Sequence, residues 1–229
     1  MLTGFTIFSL LSIPLVLLVL VSMATLFLKR LFRNEVMLLL LVTNGVLLVK
    51  YLLVYFSDSS LNTFADSESI FGGLEFILLL LIFRLAFNSY KTRQVIFYLL
   101  SIYVSVVITL YFTQQIHQYE TGKKNFEAII LVVLSIFCLA KLINEKSIFI
   151  FHSPLFWIAG GTLCYYSMLL GIEWLGYSGL VEKEGEDKSL LLLVFNLVRH
   201  VLYTIACFQQ DKTENELRLF KESSQEYPL

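Results

Sequence analysis

Seven long apolar runs alternate with short polar stretches along this chain, and each run reads as a helix. They cover 4–28, 36–56, 70–88, 95–113, 126–144, about 148–171, and 189–208. A bilayer hydrocarbon core about 30 Å thick takes about 20 helical residues to cross, so each run is long enough to span it. No basic residue precedes the first run, and KRLFR follows it at once. A cleaved signal peptide shows the reverse order, so this run is expected to stay as the first span. Pro14 lies inside it and removes one backbone donor, which is expected to bend the helix. The polar stretches are short: SDSSLNTFADSES after the second run, TQQIHQYETGKKN after the fourth, and a Glu- and Gly-rich loop before the seventh. The expected organisation is one membrane domain over 1–210 and a short tail over 211–229.

Composition agrees with the pattern. Of the 229 residues, 57% are hydrophobic and 15% charged, and the mean hydropathy is +0.76. That balance marks an all-α polytopic membrane protein, a seven-helix bundle whose surroundings are the lipid bilayer. No stretch is long and polar enough for a soluble catalytic or DNA-binding domain, and no nucleic-acid partner is expected. Cys138, Cys164 and Cys207 each lie in an apolar run without metal-ligand spacing, so they read as small core residues. The distribution of charge gives an orientation. With the N-terminus outside, the cytoplasmic segments hold ten Lys and Arg and the outer loops four, with Lys50, Arg84 and Arg199 inside spans. The positive-inside rule then favours N-out and C-in across the inner (cytoplasmic) membrane.

Polar residues inside the spans are the candidate chemistry. The seventh run, SLLLLVFNLVRHVLYTIACF, places Asn196, Arg199, His200 and Tyr203 on one helical face. A charge at that depth normally faces a bundle interior or a wet cavity. Lys50 on the second span and Glu75 on the third each lie about six residues from the outer surface, roughly 9 Å deep at 1.5 Å per residue. Glu75 can pair with Lys50, with Arg199, or bridge both. Lys50 can equally snorkel to the headgroups, and Arg199 can be a purely structural buried pair. Asn44 sits at the centre of the second span. The expected polar core is therefore Asn44, Lys50, Glu75, Asn196, Arg199, His200 and Tyr203.

Several sharper chemistries fail on particular residues. A retinal protein needs a Schiff-base lysine on its last helix, and this one offers Arg199, which does not deprotonate. A membrane zinc enzyme needs about three ligands within reach, and His152 and His200 lie at different depths. No G-x-S-x-G sequence occurs. No catalytic residue, metal ligand or cofactor is expected. Gly160-Gly161 in the sixth run is expected to let a neighbouring helix approach closely.

IFGGLEFILLLLIF around Glu75, HSPLFWIAGGTLCYYS at 152–167 and FNLVRHVLYTIACF at 195–208 together resemble a family of small seven-helix proteins of Bacteroidota. The resemblance implies a seven-helix fold and a leaning toward signalling, since such proteins often accompany sensor kinases. It implies no ligand and no catalytic residue. The functional expectation is a membrane-embedded sensor or receptor-like signalling component, with a small transporter or permease subunit as the alternative. The tail adds one feature. Thr213 and Glu216 form a T-x-x-E capping box, so a short helix is expected over 214–222. A helix that short is marginal alone in water. It needs the membrane surface, the bundle, or a partner such as a sensor kinase docked on 211–229.

Overall fold

Each apolar run of the sequence has an α-helix as its main part in the computed structural model, which describes residues 4–29, 34–56, 61–113, 119–144, 150–177 and 191–209. The helices are α1 (Gly4–Leu28), α2 (Glu35–Phe56), α3 (Leu61–Ala86), α4 (Tyr90–Phe112), α5 (Glu120–Asn144), α6 (Pro154–Tyr177) and α7 (Leu191–Gln209). Counting the described residues alone, five of them, α2, α4, α5, α6 and α7, are long and apolar enough to cross a membrane. The chain is a helical membrane protein.

Helix ends differ from the hydropathy boundaries, for physical reasons. The third run, expected over 70–88 after a polar loop, is the end of a longer helix. α3 starts at Leu61, takes in LNTFADSES, and stops at Ala86. Hydropathy marks where apolar side chains begin, whereas the backbone ladder continues through polar residues. α4 and α5 likewise begin five and six residues before the expected 95 and 126. The sixth run, expected from about 148, is split. A 3-10 turn over Ile150–His152 comes first, and the helix starts at Pro154. Proline lacks an N–H that a first helical position does not need, so Pro154 suits the start of α6, whereas Pro14 lies inside α1 at the cost of one backbone donor. The tail and the expected helix over 214–222 lie outside the described residues, as does the loop over 178–190.

Terminal backbone groups are satisfied by side chains. Asn34 Oδ1 accepts the Val36 N–H at 3.0 Å, a side-chain cap on the start of α2. At the end of α3, Lys141 Nζ donates to the Ala86 carbonyl at 2.7 Å. Arg93 Nε donates to the Phe87 carbonyl at 2.5 Å. Two cations, from α5 and α4, thus sit where the helix dipole leaves partial negative charge.

Packing places α3 near the centre. It lies against α2, α4 and α5, while α1 packs on α2 and α5 on α6. Phe76, Leu79, Leu80, Ile82 and Phe83 of α3 are all buried, and they cover more than one face of the helix. α4 is peripheral, with Ile96 and Tyr103 as its buried residues. Lipid is as apolar as leucine, so helix association rests on close packing and interhelical hydrogen bonds. α7 carries most of the latter. Ser22 of α1 bonds Thr204 at 2.7 Å, and Lys29 at the end of α1 stands over the Phe208 ring. α1 and α7 therefore run in the same direction. α6 runs the other way, since Thr162 bonds Tyr203 while His152, just before α6, bonds Gln209.

Candidate functional site

The polar residues of α7 meet four other helices. Arg199 is 1% exposed and Glu75 of α3 is 5% exposed. Their side chains form a buried ion pair, with Arg199 Nη1 donating to Glu75 Oε1. The other arm, Nη2, donates to Asn196 Oδ1 at 2.6 Å. Asn196 Nδ2 in turn donates to the Tyr51 hydroxyl of α2 at 2.6 Å. One relay of polar groups thus joins α3 to α7 to α2. The face of the guanidinium is covered as well. It lies 4.2 Å from the Tyr165 ring centroid, with the Tyr166 and Tyr203 rings at 5.8 and 5.9 Å. A desolvated cation over an aromatic face is attracted by the ring quadrupole, and arginine suits that role because its charge is planar and weakly hydrated.

Close helix approach makes this arrangement possible. A Cβ added to Gly161 would meet Tyr203 Cε1 at 3.2 Å, and the Arg199 carbonyl and Leu202 Cβ at 3.3 Å. Gly161 is therefore the contact point between α6 and α7. Its neighbour Gly160 has nothing within 4 Å, so the expected closeness belongs to one member of the pair. One residue further on, Thr162 donates to the Ile158 carbonyl at 2.8 Å. Its proton is thus committed, and the Tyr203 hydroxyl donates to it at 2.8 Å.

The seven residues singled out in the sequence do not form one cluster. Glu75, Arg199 and Asn196 join through direct bonds, and Tyr203 packs beside them. His200 is 1% exposed and turns toward α2, its ring 6.3 Å from that of Tyr51 and edge-on to it. Lys50 is half-buried and has no ion-pair partner among the described residues. The partner of Glu75 is Arg199, and the alternative pairing with Lys50 does not occur. α7 packs so closely that Arg199 reaches Glu75 directly. Asn44 is 0% exposed, and neither of its side-chain polar atoms has a hydrogen-bond partner among the described residues.

A second polar group lies on the other side of α3. Tyr103 of α4 donates to Glu127 of α5, and Lys123 lies 3.8 Å from the same carboxylate one turn earlier. Both charged side chains are 7% exposed. Gly73 of α3 makes room, since a Cβ there would meet the Tyr103 hydroxyl at 3.0 Å. Sequence reasoning passed over this group. Glu127 lies inside the run expected over 126–144, and it stands four residues after Lys123, the spacing of a helical ion pair. Tyr51, Thr162, Tyr165 and Tyr166 lie outside the expected polar core for another reason. Aromatic and hydroxyl residues are common in membrane helices, and nothing local distinguishes those that contact Arg199.

Comparison of the chain with known protein families, with curated proteins and with solved structures finds no match.

Proposed function

We propose that this chain crosses the cytoplasmic membrane seven times, N-terminus outside and C-terminus inside, and acts as a receptor-like signalling component. α1 and α3, of 25 and 26 residues, would supply the two spans beyond the five already assigned. The observation that carries the reading is the position of α7. It is the helix whose side chains bond to α1, α2, α3 and α6, and it leads directly into the segment 211–229. A stimulus that separates Glu75 from Arg199, or that moves α6 against Gly161, must shift α7 and with it the start of that segment. Packed interfaces are bistable rather than continuously soft, so a small shift at the ion pair is passed on as a displacement of the whole helix. In this reading 211–229 hands the state of the bundle to a sensor kinase, as the resemblance to the seven-helix proteins of Bacteroidota implies.

The experiment compares the full chain with a version truncated after Gln210. The full chain is expected to copurify with a sensor kinase, and the truncated chain to keep its helices and lose the kinase. Retention of both kinase and signalling output by the truncated chain would refute the reading. Substrate uptake into vesicles that is lost in Glu75→Gln would instead assign the same polar core to transport.

A further inference from the structure

We propose that ordered water occupies a site between α2 and α7, held by the Asn44 side-chain amide and His200 Nε2. Both groups are buried, and Asn44 Oδ1, Asn44 Nδ2 and His200 Nε2 have no hydrogen-bond partner among the described residues. A buried amide or imidazole left unpaired costs about 1–3 kcal/mol, so such groups normally find a partner in protein or in water.

Helix geometry brings the two together. α1 and α7 run in the same direction, and α2 follows α1 through a short connection and packs on it, so α2 runs opposite to α7. Tyr51 meets α7 at Asn196 and at the His200 ring. Seven residues make 700° of helix, 20° short of two turns, so Asn44 lies on the same face as Tyr51 and about 10 Å further along. The same step on α7, in the opposite chain direction, runs from Asn196 to Tyr203, passing His200 on the way. Asn44 is therefore level with Tyr203 and Thr204, and Thr204 is bonded there to Ser22. His200 stands one turn from that level, on the side of Tyr51.

The chemistry favours water over an ion. Asn44 and His200 offer a metal cation one amide oxygen and one imidazole nitrogen, too few ligands to hold it, and no group of three or more His, Cys, Asp or Glu side chains that could hold a metal occurs among the described residues. The Arg199 charge is already balanced by Glu75, which gives an anion little to gain. An amide offers two donors and an acceptor, and a neutral imidazole nitrogen offers one position of either kind. A neutral molecule that both donates and accepts matches that set, and water is the smallest. Buried waters typically make about three bonds to groups that would otherwise be unsatisfied. This site is independent of the signalling reading, because it uses neither the ion pair nor the tail.

Nuclear magnetic resonance on the full chain in lipid nanodiscs, with asparagine amides labelled, tests it. The Asn44 side-chain resonances, identified by their loss in Asn44→Leu, should show cross-peaks to water protons, and these should weaken in His200→Phe. Thermal unfolding gives a second reading. Asn44→Leu should lower the melting temperature, because it leaves His200 without its bridged partner, and the loss should shrink in a His200→Phe background. Absence of any water cross-peak at Asn44 in the native chain would overturn the proposal, and so would a higher melting temperature for Asn44→Leu. If Asn44→Leu fails to fold, the Asn44 resonances are assigned by sequential connectivity and the native spectrum decides alone.

Discussion

Glu75→Gln is the most informative single change in this protein. The substitution keeps the shape of the side chain and removes its charge. Arg199, 1% exposed and beneath three tyrosine rings, then has no counter-ion among the described residues. Stranding one member of a buried ion pair costs about 3–5 kcal/mol. For a chain of about this length each kcal/mol moves the melting temperature by about 2–4 °C, so the expected fall is roughly 6–20 °C. Removing both charges has a different result. Glu75→Leu with Arg199→Met leaves no buried charge, and replacing an ion pair by apolar side chains is often neutral or stabilising by about 1–4 kcal/mol. Against this stand the lost attraction to Tyr165, about 2 kcal/mol, and one unpaired acceptor on Asn196, about 1–3 kcal/mol. The double variant should therefore melt well above Glu75→Gln and near the native protein. The assay is thermal unfolding of purified protein in one detergent, read by loss of the monodisperse peak on size exclusion. A Glu75→Gln protein within about 2 °C of native, less than one kcal/mol by the same scale, would refute the reasoning. So would a double variant that melts as low as the single one.

Other expectations follow from single contacts. Gly161→Val should force α6 from α7, because a Cβ already meets Tyr203, Leu202 and the Arg199 carbonyl at 3.2–3.3 Å, whereas Gly160→Ala should leave the melting temperature unchanged. Tyr203→Phe removes the hydrogen bond to Thr162 and should cost about 1 kcal/mol by thermal unfolding, with no loss of assembly. Lys141→Met removes the donor from the Ala86 carbonyl at the end of α3, and hydrogen exchange should quicken over 86–90 while the centre of α3 stays protected. A reporter fused at Leu229 should be cytoplasmic and one inserted in 178–187 external. The reverse result would overturn the charge count on which the proposed orientation rests.

Much of the architecture can be read directly from the residues. Hydropathy alone locates each of α1 to α7, because a backbone in lipid must satisfy its own hydrogen bonds and a helix does so within one segment. The expense of a charge in hydrocarbon singled out Glu75 and Arg199 before any packing was known. Depth, which follows from counting residues at a fixed rise, put Glu75 level with Lys50. Rotation about the helix axis and the choice of neighbour do not follow from counting. Equal depth favours Lys50 as the partner of Glu75, with Arg199 or a bridge to both as alternatives, and only the packing of α7 against α1, α2, α3 and α6 selected Arg199. The tertiary structure also chose Gly161 over Gly160 and turned Tyr165 onto the guanidinium, and it left Asn44 buried with no side-chain hydrogen-bond partner among the described residues. These outcomes depend on how side chains of distant segments interlock. A pattern along one helix reports its own apolar and polar positions, and it does not report which surface of another helix will lie against them.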